Sequence, residues 1–295
     1  MTPFFSVIIP TYNREKELKR SIQSVLAQSF SNLEVLVMDD GSNDHTESMV
    51  RSLDDSRITY DWDENFGGPA KPRNRGIAKA QGEWICFLDA DDWWADNKLE
   101  ICHQHINEQV DVIYHDLEIV GVPARLFRSK IIKSRQLKTP VLIDLLVGGN
   151  AIANSSAVVR KKLLDEIGRI DERKEMIASE DYNTWLRLAK VSERFLYIPK
   201  PLGFYLVHEK NISHRDMSLN WEYSCSNFMS YLSQVQQNKL KAEICYMRGR
   251  FAFTKNDYLR AIASLKFCLW YGGPIKKIKS LYMIVVIKLK RKFKE

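Results

Sequence analysis

Apolar positions in the first third of the chain fall in short, nearly continuous runs. These are Phe5-Ser6-Val7-Ile8-Ile9, stopped by Pro10, then Leu33 to Met38, Ile58-Thr59-Tyr60, and Trp84 to Leu88. A continuous run, rather than an apolar–polar alternation, suits a strand buried on both faces of a parallel sheet. The segments between them have helical spacing. Leu18, Ile22, Val25 and Leu26 share one face, Thr46 stands where a helix cap would, and a basic helix through Arg73, Arg75, Ile77 and Ala80 follows the loop Gly67-Gly68-Pro69. Strand and helix in strict alternation predict an α/β fold with a mostly parallel, Rossmann-like sheet flanked by helices.

The pattern continues less cleanly. A polar helix is predicted after Asp96, running to about Gln109, then a short strand at Val112-Ile113-Tyr114. Residues 121–150 admit strand, loop and a short helix around Leu142 to Val147. A strand at Ala157 to Arg160 leads to a helix, Lys161 to Ile167, ended by Gly168. Ser179-Glu180-Asp181 reads as the cap of a helix whose Tyr182, Trp185, Leu186 and Ala189 form an apolar face. Two edge-type strands are expected at Phe195 to Ile198 and Gly203 to Val207. Beyond Asn220 the spacing is helical, which divides the chain into residues 1–220 and a helical C-terminal region, 221–295. Tyr258 to Lys266 resembles half of a helical-hairpin repeat, too little to establish a repeat.

Composition narrows the class. With 45% hydrophobic and 11% aromatic residues among 295, the chain can bury a globular core. The net charge of +7 is local: from Lys276 onward there are eight Lys or Arg against the single acid Glu295, a surplus equal to the whole. That distribution argues against a nucleic-acid-binding face and for a basic appendage. Five cysteines without a CxxC pair suggest reduced thiols and no zinc site. The N-terminus runs straight into a strand with no basic n-region, so no signal peptide is expected and the chain is placed in the cytoplasm. In the tail, lysines flank the apolar block Leu281 to Ile287, too short to cross a bilayer. The expectation is a basic amphipathic helix held peripherally on the anionic inner face of the cell membrane, the alternative being a solvated tail.

Candidate chemistry gathers at strand ends. Trp84 to Leu88 runs directly into Asp89-Ala90-Asp91-Asp92, three carboxylates at the edge where open α/β sheets bind ligands. Like charges so close need an offset, and a hard cation, Mg²⁺ or Mn²⁺, accepts such oxygens while leaving positions for a diphosphate. The alternative is an acidic cap on a helix near Lys98. Pro10-Thr11-Tyr12-Asn13 stands where a dehydrogenase would carry GxGxxG, so its polar side chains suit a nucleobase and ribose, or an ordinary turn. Asp40 ends the second strand in position to accept from a base or ribose, in what is also good turn chemistry. Arg73 and Arg75 can neutralise phosphate, pair with the acids, or be solvated. Asp181, beside Glu180 at a helix N-terminus, is the separate carboxylate a proton transfer would need.

Five segments together resemble the family 2 glycosyltransferases of the GT-A fold: Ser6 to Asn13, Val37 to Ser42, Arg73-Asn74-Arg75-Gly76, Phe87 to Asp92, and Ser179 to Arg187. The resemblance spans about residues 4–215, and implies an inverting, Mn²⁺- or Mg²⁺-dependent transferase using a nucleotide-sugar donor, commonly UDP-linked. It further implies that Pro10, Thr11, Tyr12, Asn13, Asp40, Arg73, Asp89, Ala90 and Asp91 contact the nucleotide. The metal falls to Asp91, with Asp89 and Asp92 adjacent, and the general base to Asp181 of the Glu180–Asp181 pair. His208 and Ser213, with Asn211, resemble a segment that closes on the diphosphate. The DxDD form is familiar in bacterial O-antigen and capsule transferases, which implies a glycan or lipid-pyrophosphate-linked acceptor. Pro69-Ala70-Lys71-Pro72 departs from the small residues usual before the arginine. Two other readings remain: a sugar-phosphate nucleotidyltransferase, which would carry a Gly-rich basic loop after the first strand, and a catalytically silent glycan-binding or scaffold protein.

Overall fold

A computed structural model describes residues 2–121, 130–207 and 216–292. The first strands are β1 (Phe5–Thr11), β2 (Leu33–Asp39), β3 (Ile58–Trp62) and β4 (Trp84–Phe87). They are hydrogen-bonded in the order β3-β2-β1-β4, all parallel. Their connections are α1 (Glu15–Leu26), α2 (Thr46–Arg51) and α3 (Ala70–Lys79).

Both faces of this sheet are covered, as the nearly continuous apolar runs require. Phe5, Val7 and Ile9 of β1 join Trp84 and Cys86 of β4 and Leu18, Ile22 and Val25 of α1 in one core. Ile8, Ile85 and Phe87, one residue out of phase, face the opposite core with Ile77 of α3. There α3 lies almost against β1: a Cβ on Gly76 would sit 2.6 Å from Ile8 Cγ2.

The second half of the sheet is mixed. A two-residue strand β5 (Trp93–Trp94) precedes α4 (Lys98–His105), followed by β6 (Val112–Val120), β7 (Ile131–Ile132), α5 (Val141–Gly148), β8 (Val158–Arg160) and α6 (Lys161–Glu166). Next come α7 (Glu180–Val191) and β9 (Phe195–Leu206). From β4 the order continues β8-β6-β9-β5, with β8 antiparallel to both β4 and β6.

Several sequence expectations change. Helix α4 begins at Lys98 behind Asn97 with no side-chain cap, so Asp91 and Asp92 are not its N-cap. The short strand at 112–114 extends to Val120. The two expected edge strands are one strand, β9, paired parallel to β6 on one side and antiparallel to β5 on the other. Pro199 and Pro201, which lack the N–H a ladder needs, lie where the register jumps from His115↔Ile198 to Asp116↔Pro201. That interruption is what reads as two strands. Ser179 is the N-cap residue of α7, as expected, but its side chain makes no capping bond; its hydroxyl lies within donating reach of the carbonyls of Met176 and Asn220.

Helices close the chain: α8 (Ser218–Ser226), α9 (Gln234–Thr254), α10 (Tyr258–Tyr271) and α11 (Pro274–Lys292). Leu240 and Ile244 of α9 pack in the same core as Tyr182 and Trp185 of α7. Farther along, Ala252, Ala261, Leu265, Met283, Ile284 and Ile287 form a separate small core. Among the described residues no helix is long and apolar enough to cross a membrane.

The tight α3–β1 crossing is testable. Gly76→Ala should lose about 1–3 kcal/mol, because buried Ile8 has little room to retreat. An unchanged urea midpoint would show that the two elements are not in contact.

Candidate active site

Parallel pairing brings the carboxyl ends of β1, β2 and β4 to one edge, and a cleft of about 620 Å³ opens there. Its lining includes Pro10, Thr11, Tyr12, Asp40, Arg73, Asp89, Ala90, Asp91, Asp92, Glu180 and Asp181. Segments far apart in sequence thus meet at one wall. Asn13 does not line the cleft. Its amide donates to Ser42 Oγ and its side-chain oxygen accepts from the Asn43 amide, bracing the β1 and β2 loops together. His208, Asn211 and Ser213 lie outside the described residues.

Where β1 ends in the cleft, Thr11 Oγ1 is buried with no hydrogen-bond partner among the described residues. A buried hydroxyl left this way is costly, and the cleft is where a partner would come from. Asp40 accepts from the backbone amides of Phe66 and Gly67, at 3.0 and 3.1 Å. It therefore shapes the loop entering α3 while lining the cleft. Gly41 must be glycine: its φ is +86°, and a Cβ would meet the Asn65 amide at 2.7 Å.

Arg73 is the keystone. It is 3% exposed, and donates to Glu180 Oε1 at 2.6 Å and Asp89 Oδ1 at 2.7 Å. Burial opposes its charge, but Asp89 and Glu180 outweigh burial and raise its pKa. Of the roles open from sequence, pairing with the acids is what the geometry shows. Arg75 points elsewhere, to Asp61, Asp63 and the Asp39 carbonyl.

The three aspartates differ sharply. Asp89 accepts from Arg73 and from Asn154 Nδ2 at 2.8 Å. Asp91 pairs with Arg14 at 3.1 Å and keeps some exposure to the cleft. Asp92 is almost fully buried; it accepts from Ser155 Oγ at 2.5 Å and from the Leu206 amide at 3.1 Å. Burial, then the charges of Asp89 and Asp91, push its pKa well above the ordinary carboxylate range. Asp92 thus fastens the cleft floor to the end of β9.

These side chains can be tested against a divalent cation. Among the described residues no group of three or more His, Cys, Asp or Glu is arranged as a ligand cage. Mg²⁺ and Mn²⁺ are commonly held by one or two carboxylates, with substrate phosphates and water completing the sphere. Asp91, with Asp89 beside it, supplies that number; Asp92, with both oxygens engaged, is poorly disposed to add a third. The residues fit a cation shared with a diphosphate, and not an all-protein cage.

Asp181 joins the lining at the start of α7. Burial, then the charge of Glu180, push its carboxyl up to about 7, against the opposing pull of Arg73 and of the Tyr182 amide. A carboxyl poised there exchanges protons at neutral pH.

Sequence reading missed Arg14, Asn65, Asn154, Ser155 and Tyr205, all in the lining. Asn154 and Ser155 sit on a one-turn 3₁₀ helix just before β8. The small polar run Asn154-Ser155-Ser156 before an apolar strand was the available signal.

Comparison with known proteins agrees with the geometry. A sequence model described as Glycosyl transferase family 2 matches residues 6–168, more than half the chain. A Campylobacter jejuni protein, GalNAc(5)-diNAcBac-PP-undecaprenol beta-1,3-glucosyltransferase, is 29% identical over 288 residues, covering 95% of this chain and 86% of its own. The Escherichia coli UDP-Glc:alpha-D-GlcNAc-diphosphoundecaprenol beta-1,3-glucosyltransferase WfgD is 29% identical over 237 residues, covering 80% and 81%. In structure, the S. aureus TarS fragment 1–349 in complex with UDP-GlcNAc superposes with a TM-score of 0.66 at 23% identity, over 90% of this chain and 81% of that one.

The buried bridge yields a prediction. Arg73→Met leaves Glu180 and Asp89 without their shared cation and should destabilise the protein by about 3–5 kcal/mol in urea titration. A loss below about 1 kcal/mol would mean the pair behaves like a surface bridge.

Proposed function

Because the chain belongs to glycosyl transferase family 2, we propose that it is an inverting glycosyltransferase acting in bacterial surface polysaccharide synthesis. In this reading it moves a sugar from a UDP-linked donor to a hydroxyl of a lipid-diphosphate-linked glycan. Residues 1–220 carry the catalytic GT-A sheet and cleft, and the boundary with the helical region 221–295 falls inside α8, with Leu240 and Ile244 of α9 completing the sheet domain's core. The donor and acceptor classes are those carried in the relatives' names, UDP-Glc and undecaprenol diphosphates. An enzyme with such an acceptor works peripherally at the cytoplasmic face of the membrane.

One observation carries the reading. One cleft gathers a hydroxyl with no partner among the described residues at Thr11, a diphosphate-suited acidic edge at Asp89 and Asp91, and a carboxyl poised near neutrality at Asp181. The base and ribose would lie along Pro10, Thr11, Tyr12 and Asp40. A divalent cation held by Asp91 with Asp89 would, when bound, neutralise charge on the leaving diphosphate. Asp181 takes the proton of the acceptor hydroxyl, whose oxygen bonds to the anomeric carbon from the face opposite the diphosphate. The bond to the diphosphate breaks and its electron pair leaves with the phosphate oxygen. One displacement inverts the centre. Glu180 acts indirectly, fixing Arg73 and raising the basicity of Asp181.

Asp181 must be ionised to accept the proton, so kcat/KM should fall as pH drops through about 7. Asp181→Asn should lower turnover roughly 10²–10⁴-fold while donor affinity is kept. Glu180→Gln should move the acid limb of the profile to lower pH, since a charge that raises Asp181 is gone, with Arg73 and Asp89 still facing it. Unchanged turnover in Asp181→Asn would remove the base from that residue. Separately, Asp91→Asn should abolish the Mn²⁺-dependent part of UDP-sugar binding in calorimetry; equal metal dependence in both proteins would dismiss Asp91 as a ligand.

A further inference from the structure

Helix α11 is apolar on two opposite faces. Ser280, Met283, Ile284 and Ile287 are buried, the last three in the small core that includes Ala252, Ala261 and Leu265. The other face carries Ile275, Ile278, Leu281, Tyr282, Val285 and Leu289, each between 44% and 70% exposed. Their spacing, 275, 278, 282, 285 and 289 with 281 alongside, traces one unbroken stripe on a 3.6-residue helix. The sequence treats Leu281 to Ile287 as a single apolar block; folding divides it between an inner and an outer face. Scattered exposed leucines are ordinary, but a continuous stripe of six large apolar side chains is not.

The lysines complete the pattern. Lys277 and Lys288 fall beside Leu281 on one margin, while Lys279 and Lys290 fall on the opposite margin beside Ile275 and Val286. Immediately before the turn into α11 stands Trp270, 78% exposed, a residue type that settles at membrane–water interfaces.

We propose that this outer face of α11 docks on an anionic lipid bilayer, with the helix lying in the plane of the interface. The apolar stripe enters the acyl boundary, and the two lysine rows extend sideways to lipid phosphates. The charge pattern selects this occupant over a second copy of the chain. From Pro274 to Lys292 there is no acid, so pairing two such faces would bring lysine row against lysine row. The helix cannot span a bilayer, which leaves lying on it. The proposal shares with the functional reading a lipid-borne acceptor and a place at the membrane; the stripe stands without any assigned activity.

The test uses the full chain without donor or acceptor, so that it does not depend on transfer. Co-sedimentation with vesicles of phosphatidylcholine alone is compared with vesicles of phosphatidylcholine and phosphatidylglycerol in equal parts. Wild type should bind the anionic vesicles. Ile278→Glu/Val285→Glu/Leu289→Glu, all outward-facing, should weaken that binding on the order of tenfold or more with an unchanged melting temperature. Gln at Lys277, Lys279, Lys288 and Lys290 should remove the preference for anionic vesicles. Triple-Glu binding equal to wild type overturns the proposal. So does a concentration-dependent dimer in sedimentation velocity that the triple substitution abolishes while neither protein binds vesicles. If vesicle binding follows the proposal but no nucleotide sugar is transferred, the surface survives and the functional reading fails.

Discussion

One buried guanidinium reconciles the acids of the cleft. Asp89, Asp91, Asp92, Glu180 and Asp181 converge from two segments about ninety residues apart, and that much negative charge at a protein interior resists folding. Arg73 bridges the two groups, one fork to Glu180 and the other to Asp89. It couples the end of β4 to the start of α7, so the acidic edge and the poised carboxyl are held in fixed relation. The remaining charges are handled differently: Arg14 offsets Asp91, and Asp92 is buried where its neutral form is favoured. What remains near ordinary exchange at pH 7 is Asp181. The division of labour follows from position, since all of these are the same kind of group.

The sheet makes that bridge possible. Parallel strands place all their carboxyl ends at one edge, which explains why Thr11, Asp40 and Asp89 meet although helices separate their strands. The antiparallel insertion of β8 beside β4 then brings the turn before it, with Asn154 and Ser155, under the acidic segment. Ser155 accepts from the Asp89 amide, donates to Asp92, and through its carbonyl receives the Trp94 indole. A short turn from the second half of the fold therefore sets the geometry of residues from the first.

What could be read from sequence follows from how local each signal is. The runs Val7 to Ile9, Leu33 to Met38 and Trp84 to Leu88 declare buried strands by themselves, and the acids follow them directly. Their convergence on one edge follows from parallel topology alone. Pairing partners were not legible. Arg73 has three plausible fates in sequence, and only the fold brings Glu180, more than a hundred residues on, within 2.6 Å. Asn154 and Ser155 sit in a stretch without period, and β5 is two tryptophans long, too short to register as a strand. The division of β9 into two apparent strands had a local cause in Pro199 and Pro201, but the sequence could not show that one ladder continues past them.

Charge links the two ends of the molecule. The acids of the cleft are balanced within the sheet domain by Arg73, Arg14 and their neighbours, while the positive surplus of the whole chain resides from Lys276 onward. A near-neutral body with all its net charge on one appendage is drawn to an anionic surface by that appendage alone, so attraction also imposes orientation. If the cleft carried the surplus instead, an anionic surface would compete with a diphosphate for it. Keeping the cations on α11 leaves the acidic edge at Asp89 and Asp91 available for a metal and a diphosphate.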